Sequence, residues 1–302
     1  MIRLLLAVPT ILGVVTLVFF LIHIVPGDPV VQMLGDYATK QEIIQMRHAL
    51  HLDRPISVQY LQYLDNLFHG SIGTSLYYKK PVLDIVMHRF AYTAVLAVFA
   101  MVLALLISIP LGVWSAYKEG SWVDRIIGSV SVLGISLPNF WIAIMLIMLF
   151  SLKLRILPVA GAHSPLSIVL PGLTLAIGMS AITIRMIRAN MITALKQESF
   201  TAHLAQGLSV RRTLFVHAFR ATLIPVITLV GMQFGLLLSG AIVTETVFSW
   251  PGMGRLLVDS VMTRDYPLLS GTVLVIALVY VTVNLITDVL YYVVEPRMRK
   301  TS

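Results

Sequence analysis

The sequence contains no cysteine. A disulfide framework, a Cys-ligated zinc, an iron–sulfur cluster and a thiol nucleophile are all excluded. Charge is also scarce. Asp, Glu, Lys and Arg supply 12% of the 302 residues, about half of the roughly 25% usual in a soluble domain. Together with 58% apolar residues, this argues against a soluble enzyme. It argues equally against a disordered chain, which needs low hydrophobicity and high charge. No Gly-x-x-x-x-Gly-Lys-Ser/Thr run occurs, so the chain is not expected to bind ATP itself.

What the sequence has in quantity is apolar length, with a mean hydropathy of +0.89. A helix needs about 20 mostly apolar residues to cross ~30 Å of hydrocarbon. Six stretches free of Asp, Glu, Lys and Arg meet that length: Leu4–Gly27, Phe90–Tyr117, Ile126–Leu152, Ile156–Ile184, Ala221–Thr244 and Tyr266–Thr287. In the fourth, Pro158 to Pro165 reads as a loop leading into the span. Backbone polar groups in lipid must be paired within the segment, so each run is expected to be a helix. The first run exceeds the 7–15 residues of a signal-peptide core and ends in Pro26-Gly27-Asp28-Pro29 rather than a small-residue cleavage site, so it reads as a retained span. The expected fold class is therefore all-α integral membrane, with six transmembrane helices.

Six spans put both termini on one side. Twelve of the 22 basic residues fall on that side, among them Arg3, Lys118, Arg125, Arg185, Arg188, Arg220 and Arg297. Their density is roughly twice that of the opposite side, which places both termini and the 185–220 segment in the cytoplasm. The same bias accounts for the net charge of +8 without nucleic acid. The organisation is then a first helix at 1–27, an extracytoplasmic segment at 28–89, and a five-helix core at 90–302.

The 28–89 segment predicts two short helices, Thr39–Leu50 and Ser57–Phe68; in the second, Val58, Leu61, Leu64 and Phe68 recur at helical spacing. His48 and His51 stand three apart, but two imidazoles fall short of the three or four ligands of a metal site, and no metal is expected. The 185–220 segment interleaves apolar and basic residues. Ala202 to Gln206 favours helix, Gly207 stops it, and Ser209 is placed to cap a second helix through Arg211, Leu214 and Phe219. A connecting loop this long is usually functional or disordered. Its apolar content points to a docking surface for a cytoplasmic partner.

Intramembrane ionisable groups are functional candidates by default. Here Glu245 and Asp288 stand only at the edges of the fifth and sixth runs. Carboxylates are lacking at mid-membrane, which weighs against proton or sodium coupling. Uncharged polar residues are better placed to line a pathway: Asn139 after the kink expected at Pro138, and Gln233 and Ser239 beside Gly231 and Gly235. Glu245 completes the candidate pathway set.

The segment Ala205-Gln206-Gly207-Leu208-Ser209, then Arg211-Arg212, His217-Ala218-Phe219-Arg220-Ala221 and Leu223-Ile224-Pro225 resembles the EAA loop of binding-protein-dependent ABC importer permeases, in the dipeptide/oligopeptide/nickel branch. Further similar words follow in order along the chain: Pro26-Gly27-Asp28-Pro29, Leu52-Asp53-Arg54-Pro55, Gly73-Thr74-Ser75, Pro138-Asn139-Phe140-Trp141, Phe248-Ser249-Trp250-Pro251-Gly252-Met253-Gly254 and Arg264-Asp265-Tyr266-Pro267. The chain departs from the pattern at His203 and Leu204, and at Arg220, where the general EAA pattern has proline. The resemblance implies a type I ABC importer permease fold, no catalytic residues and no cofactor in this chain. ATP and Mg2+ belong to two ATPase subunits, which would dock on Glu198, Ala202, His203, Ala205, Gly207, Ser209, Arg211 and Arg212. It further implies a second permease subunit completing the pathway, an extracytoplasmic binding protein meeting the region of Trp250, Arg264, Asp265 and Tyr266, and residence in the bacterial inner membrane. The substrate would be a peptide, glutathione or a nickel chelate. The rival reading is a stand-alone secondary transporter or channel, which needs no ATPase.

Overall fold

The computed structural model describes residues 2–24, 30, 39–49, 53–239 and 241–294. Among them, regular structure is helical apart from one isolated bridge between Thr74 and Pro81. The helices are α1 (Ile2–Ile24), α2 (Lys40–Ala49), α3 (Ile56–Phe68), α4 (Val82–Tyr117), α5 (Trp122–Ser136), α6 (Asn139–Leu146) with a π-helical extension Ile147–Lys153, and α7 (Val169–Leu195). Next come α8 (Glu198–Ala205), α9 (Val210–Arg212) with a π-helical stretch Thr213–Ala218, α10 (Phe219–Leu238), α11 (Ile242–Val247), α12 (Met253–Met262) and α13 (Tyr266–Val294).

Among the described residues, α4, α7 and the first 22 residues of α13 are long and apolar enough to cross a membrane, and the bent pair α5–α6 makes a fourth candidate. α1 and α10 contribute shorter apolar stretches, Pro9–Phe20 and Thr222–Leu238. At ~1.5 Å per residue the 36 residues of α4 reach well beyond ~30 Å of hydrocarbon. Its first two turns, with Asp84, His88 and Arg89, lie ahead of the uncharged run.

Two predicted spans change shape. Ile126–Leu152 is broken by 104° between α5 and α6. Pro138 has no amide hydrogen to donate and pushes Leu137 into an extended conformation, φ −82° and ψ 129°, so a kink becomes a corner. The predicted Ile156–Ile184 span begins with the expected loop and runs on past its predicted end. Residues 156 to 164 are irregular, and α7 continues to Leu195. It carries Arg185 and Arg188 because Arg188 finds a partner in Asp124, 2.6 Å away.

α7 is the central helix, packed along α4 and touched by α5, α6 and α10. Small residues make the contact close. Leu96, Ala97, Ala100 and Ala104 meet Leu175, Ala176 and Met179. A Cβ at Gly112 would lie 2.8 Å from the Ile187 side chain, so glycine there sets the α4–α7 separation. α10 packs on α13, where Gly231 faces Thr287. The 28–89 segment adds α3, whose Tyr63, Leu64 and Leu67 pack on Val15 and Val18 of α1 and Leu274 of α13. Burial pushes the Tyr63 phenol up to about 12. α2 begins with a reciprocal cap: Thr39 donates its amide to Glu42 Oε2 at 2.8 Å, and Glu42 donates its amide to Thr39 Oγ1 at 3.3 Å.

Candidate functional site

The segment joining α7 to α10 is a helix, a sharp turn and a second helix. α8 ends at Ala205, and Gln206 closes its last turn by donating its amide to the Ala202 carbonyl at 3.0 Å. Gly207 then adopts φ +83°. Nothing lies within 4 Å of where a Cβ would sit. The left-handed backbone, rather than crowding, therefore calls for glycine. Ser209 takes the extended conformation of a cap and accepts from the Arg212 amide at 3.4 Å.

Glu198, Ala202, Ala205, Gly207, Ser209 and Arg212 are all exposed. The side chains of His203 and Arg211 lie outside the described residues. Val210, Phe215 and Val216 add apolar surface, 40%, 41% and 53% exposed. Small and apolar atoms are thus presented with polar groups beside them, a composition suited to a partner cleft.

The same segment is anchored inward. Leu214 and Ala218 are buried against Val113 and Ala116 of α4 and Ile187, Met191 and Ala194 of α7, with Phe200 of α8 packed alongside. Arg188 reinforces this end with a bidentate pair to Asp124, Nε at 2.6 Å and Nη2 at 2.7 Å. Asp124 also accepts from Ser115 Oγ at 2.6 Å and the Gly120 amide at 3.0 Å. Phe200 of α8 thus packs against a cluster shared by α4, α7 and α10. The Thr213–Ala218 stretch, where the α-helical register is interrupted, lies at the start of α10; such insertions are frequent at functional positions.

The sequence-predicted pathway residues separate. Asn139 is exposed at the start of α6, just past the corner. Gln233 is 9% exposed and ties α10 to α7: its Oε1 accepts from Thr183 Oγ1 at 3.3 Å, and its Nε2 donates to the Met179 carbonyl at 3.4 Å. Ser239 donates back to the Gly235 carbonyl at 2.8 Å. Glu245 is fully buried. It accepts from Thr93 Oγ1 at 2.8 Å and the Arg255 amide at 3.0 Å, while Thr93 Oγ1 accepts from the Met253 amide at 2.8 Å. It thus joins α11, α4 and the first turn of α12, where a carboxylate also meets the positive end of the helix.

Of the four residues expected to meet a binding protein, Arg264 is on the surface and the other three are inside. Trp250 is 5% exposed and donates Nε1 to the Tyr92 carbonyl at 3.1 Å. Tyr266 is buried. Asp265 is 1% exposed, accepts from Ser75 Oγ, the Tyr77 amide and the Leu268 amide, and so caps α13 while holding the 75–78 loop. Asp124 and Thr93 were not singled out from the sequence, and Ser75 only within the Gly73-Thr74-Ser75 word; Arg188, Glu245 and Asp265, which they meet, lie 64, 152 and 190 positions away. His48 lies 3.2 Å from Asp53, and His51 is outside the described residues.

Comparison with known proteins gives this geometry a context. Residues 108–300 match the family described as binding-protein-dependent transport system inner membrane component, and residues 1–97 match the N-terminal component of such membrane proteins. The glutathione transport system permease protein GsiC of Escherichia coli (strain K12) is 39% identical over 297 residues, 98% of this chain and 97% of that protein. GsiC of Pectobacterium atrosepticum shows the same identity and coverage. Among solved structures, the inward-facing MetNI methionine ABC transporter matches with a TM-score of 0.61 over 70% of this chain and 97% of that one, at 12% identity. That likeness is one of fold. The chain belongs to the binding-protein-dependent inner membrane components: it is a multi-pass permease subunit of an ABC importer of the peptide/nickel branch, and ATP is hydrolysed by separate subunits.

Proposed function

We propose that this permease forms half of a translocation pathway for a peptide-like solute of the glutathione class, delivered by an extracytoplasmic binding protein. α1, α4, α5–α6, α7, α10 and α13 would be the six spans, with both termini and the α8–α9 turn in the cytoplasm. On this reading 28–89 is an extracytoplasmic cap and 90–302 the core. A second permease completes the pathway, and two ATPase subunits dock, one on residues 198–212 and one on the partner's counterpart. Arg264 is the contact offered to the binding protein; Trp250, Asp265 and Tyr266 hold the scaffold beneath it. Asn139, at the corner, is the side chain of the pathway set best exposed to solute, while Gln233 joins α10 to α7 and Ser239 bonds within α10.

ATP-driven closure of the ATPases would move α8, and the buried contacts of Leu214 and Ala218 would carry that motion to the spans. Access then alternates between the two sides. The observation that carries the reading is the exposed helix–Gly207–helix turn anchored to the core, in a chain whose relatives at 39% identity are glutathione permeases.

The test is a pull-down from mild detergent through a tag at Ser302, with the neighbouring genes co-expressed. Two ATPase chains and a second permease should be recovered, and Gly207→Pro and Ala205→Asp should each abolish uptake while the protein remains inserted. Recovery of this chain alone, transporting without ATP in liposomes, would overturn the reading, as would normal uptake in both variants.

A further inference from the structure

A recess of about 860 Å3 opens between α5 and α7 at the end of the bundle that carries α8. On α5 it is lined by Arg125, Gly128, Ser129, Val132 and Leu133. These stand at i, i+3, i+4, i+7 and i+8, one face of the helix. On α7 it is lined by Arg185, Arg188 and Ala189. The charges do not cancel. Asp124, also in the wall, is 6% exposed and engages Arg188, Ser115 and the Gly120 amide. Arg125 and Arg185 are exposed and have no ion pair among the described residues. The recess therefore holds two uncompensated guanidiniums at its mouth.

Its other end is different. Val132 and Leu133 are 50% and 59% exposed. From Arg125 to Val132 the rise along α5 is about 10 Å. The recess thus passes from two cations, through the small Gly128 and Ser129, to an open apolar wall nearer the middle of the helix pair. A soluble anion would use the first part and leave the second wet.

We propose that this recess binds an anionic phospholipid, its phosphodiester between Arg125 and Arg185 and its acyl chains along Val132 and Leu133. Basic pockets between spans at the cytoplasmic face suit such headgroups, and guanidiniums suit phosphate oxygens. The lipid would sit directly over the Asp124–Arg188 pair and so brace α5 against α7 beside the coupling segment. The choice of leaflet rests on the proposed orientation; binding does not, and its assay involves no transport.

The purified, delipidated importer complex in detergent is titrated with phosphatidylglycerol or phosphatidylcholine, and bound lipid is counted by native mass spectrometry. Phosphatidylglycerol should bind in preference. Arg125→Gln/Arg185→Gln should weaken it by roughly 10- to 30-fold, at about 1 kcal/mol per cation, while Arg125→Lys/Arg185→Lys retains it. A second variant does not touch the charges. A Cβ at Gly128 meets nothing within 4 Å, so Gly128→Leu projects its side chain into the middle of the recess and should displace the lipid. Equal binding of the two lipids, or unchanged binding in both the Gln pair and Gly128→Leu, would overturn the proposal. So would competition by glycerol phosphate or inorganic phosphate at the lipid's own concentration, which would assign the recess to a soluble anion. Loss of uptake with lipid binding intact would count against the importer reading and leave this site standing.

Discussion

At the α8 end, Gly207, Ser209 and Arg212 stand on the surface, and the turn they form is held by backbone geometry and one weak cap. At the opposite end, Glu245 and Asp265 are 0% and 1% exposed; Glu245 accepts from groups of α4 and α12, and Asp265 from Ser75, the Tyr77 amide and the Leu268 amide. The difference suits a transmission part and a scaffold. A segment that must engage and leave a partner keeps its polar groups solvated, where rearrangement costs little. A mouth that must keep its shape buries carboxylates whose partners cannot be exchanged for water without a large penalty.

The comparison breaks first at Glu245. Glu245→Ala leaves Thr93 Oγ1 and the Arg255 amide without their acceptor and opens a void beside Gly252 and Gly254. Each orphaned buried group costs about 1–3 kcal/mol, so a loss of roughly 3 kcal/mol or more is expected, read as a fall of the unfolding midpoint in detergent. Glu245→Gln, which keeps the shape and one of the two acceptor oxygens, should lose about half of that. If alanine costs no more than glutamine, the buried network is not what holds this end. The next effect is at Asp124, the one network of this kind at the α8 end among the described residues. Arg188, its partner, is 32% exposed and can recover water, so Asp124→Asn should cost only about 1–2 kcal/mol by the same measurement. A larger loss than that of Glu245→Ala would reverse the contrast between the ends.

Much of this was legible in the sequence, for reasons that local chemistry explains. α4, α7 and α13 follow from uncharged apolar length. Gly207 and Ser209 follow from turn and cap chemistry that acts within four residues. The resemblance along the chain supplied the family. Three features were hidden. The corner at Leu137–Pro138 reads as a kink, because hydropathy is the same on both sides of it. α7 reads as ending at Ile184, because a charge count treats Arg185 as a stop, whereas Arg188 is neutralised by a carboxylate 64 positions away. The roles of Glu245 and Asp265 depend on Thr93 and Ser75, which lie 152 and 190 positions away; no window along the chain brings them together.

The finest separation of the two ends is at Gly207. A non-glycine residue in the left-handed region costs roughly 1–2 kcal/mol, and asparagine less. Open space around the Cα removes crowding but not this backbone cost, so Gly207→Ala should lower stability by about 1–2 kcal/mol, a shift of only a few degrees in a chain of this size, and Gly207→Asn by less. Function should respond out of proportion. In the reconstituted importer, Gly207→Ala is expected to cut binding-protein-stimulated ATPase several-fold with the unfolding midpoint lowered by only a few degrees, and Gly207→Asn to restore most of it, since asparagine tolerates the same backbone. A carboxylate at the opposite end cannot show that pattern: there stability and activity should fall together. If Gly207→Asn is as damaging as Gly207→Ala, what the partner reads is the missing side chain rather than the turn, and the docking surface must approach closer to Gly207 than its exposed geometry alone requires.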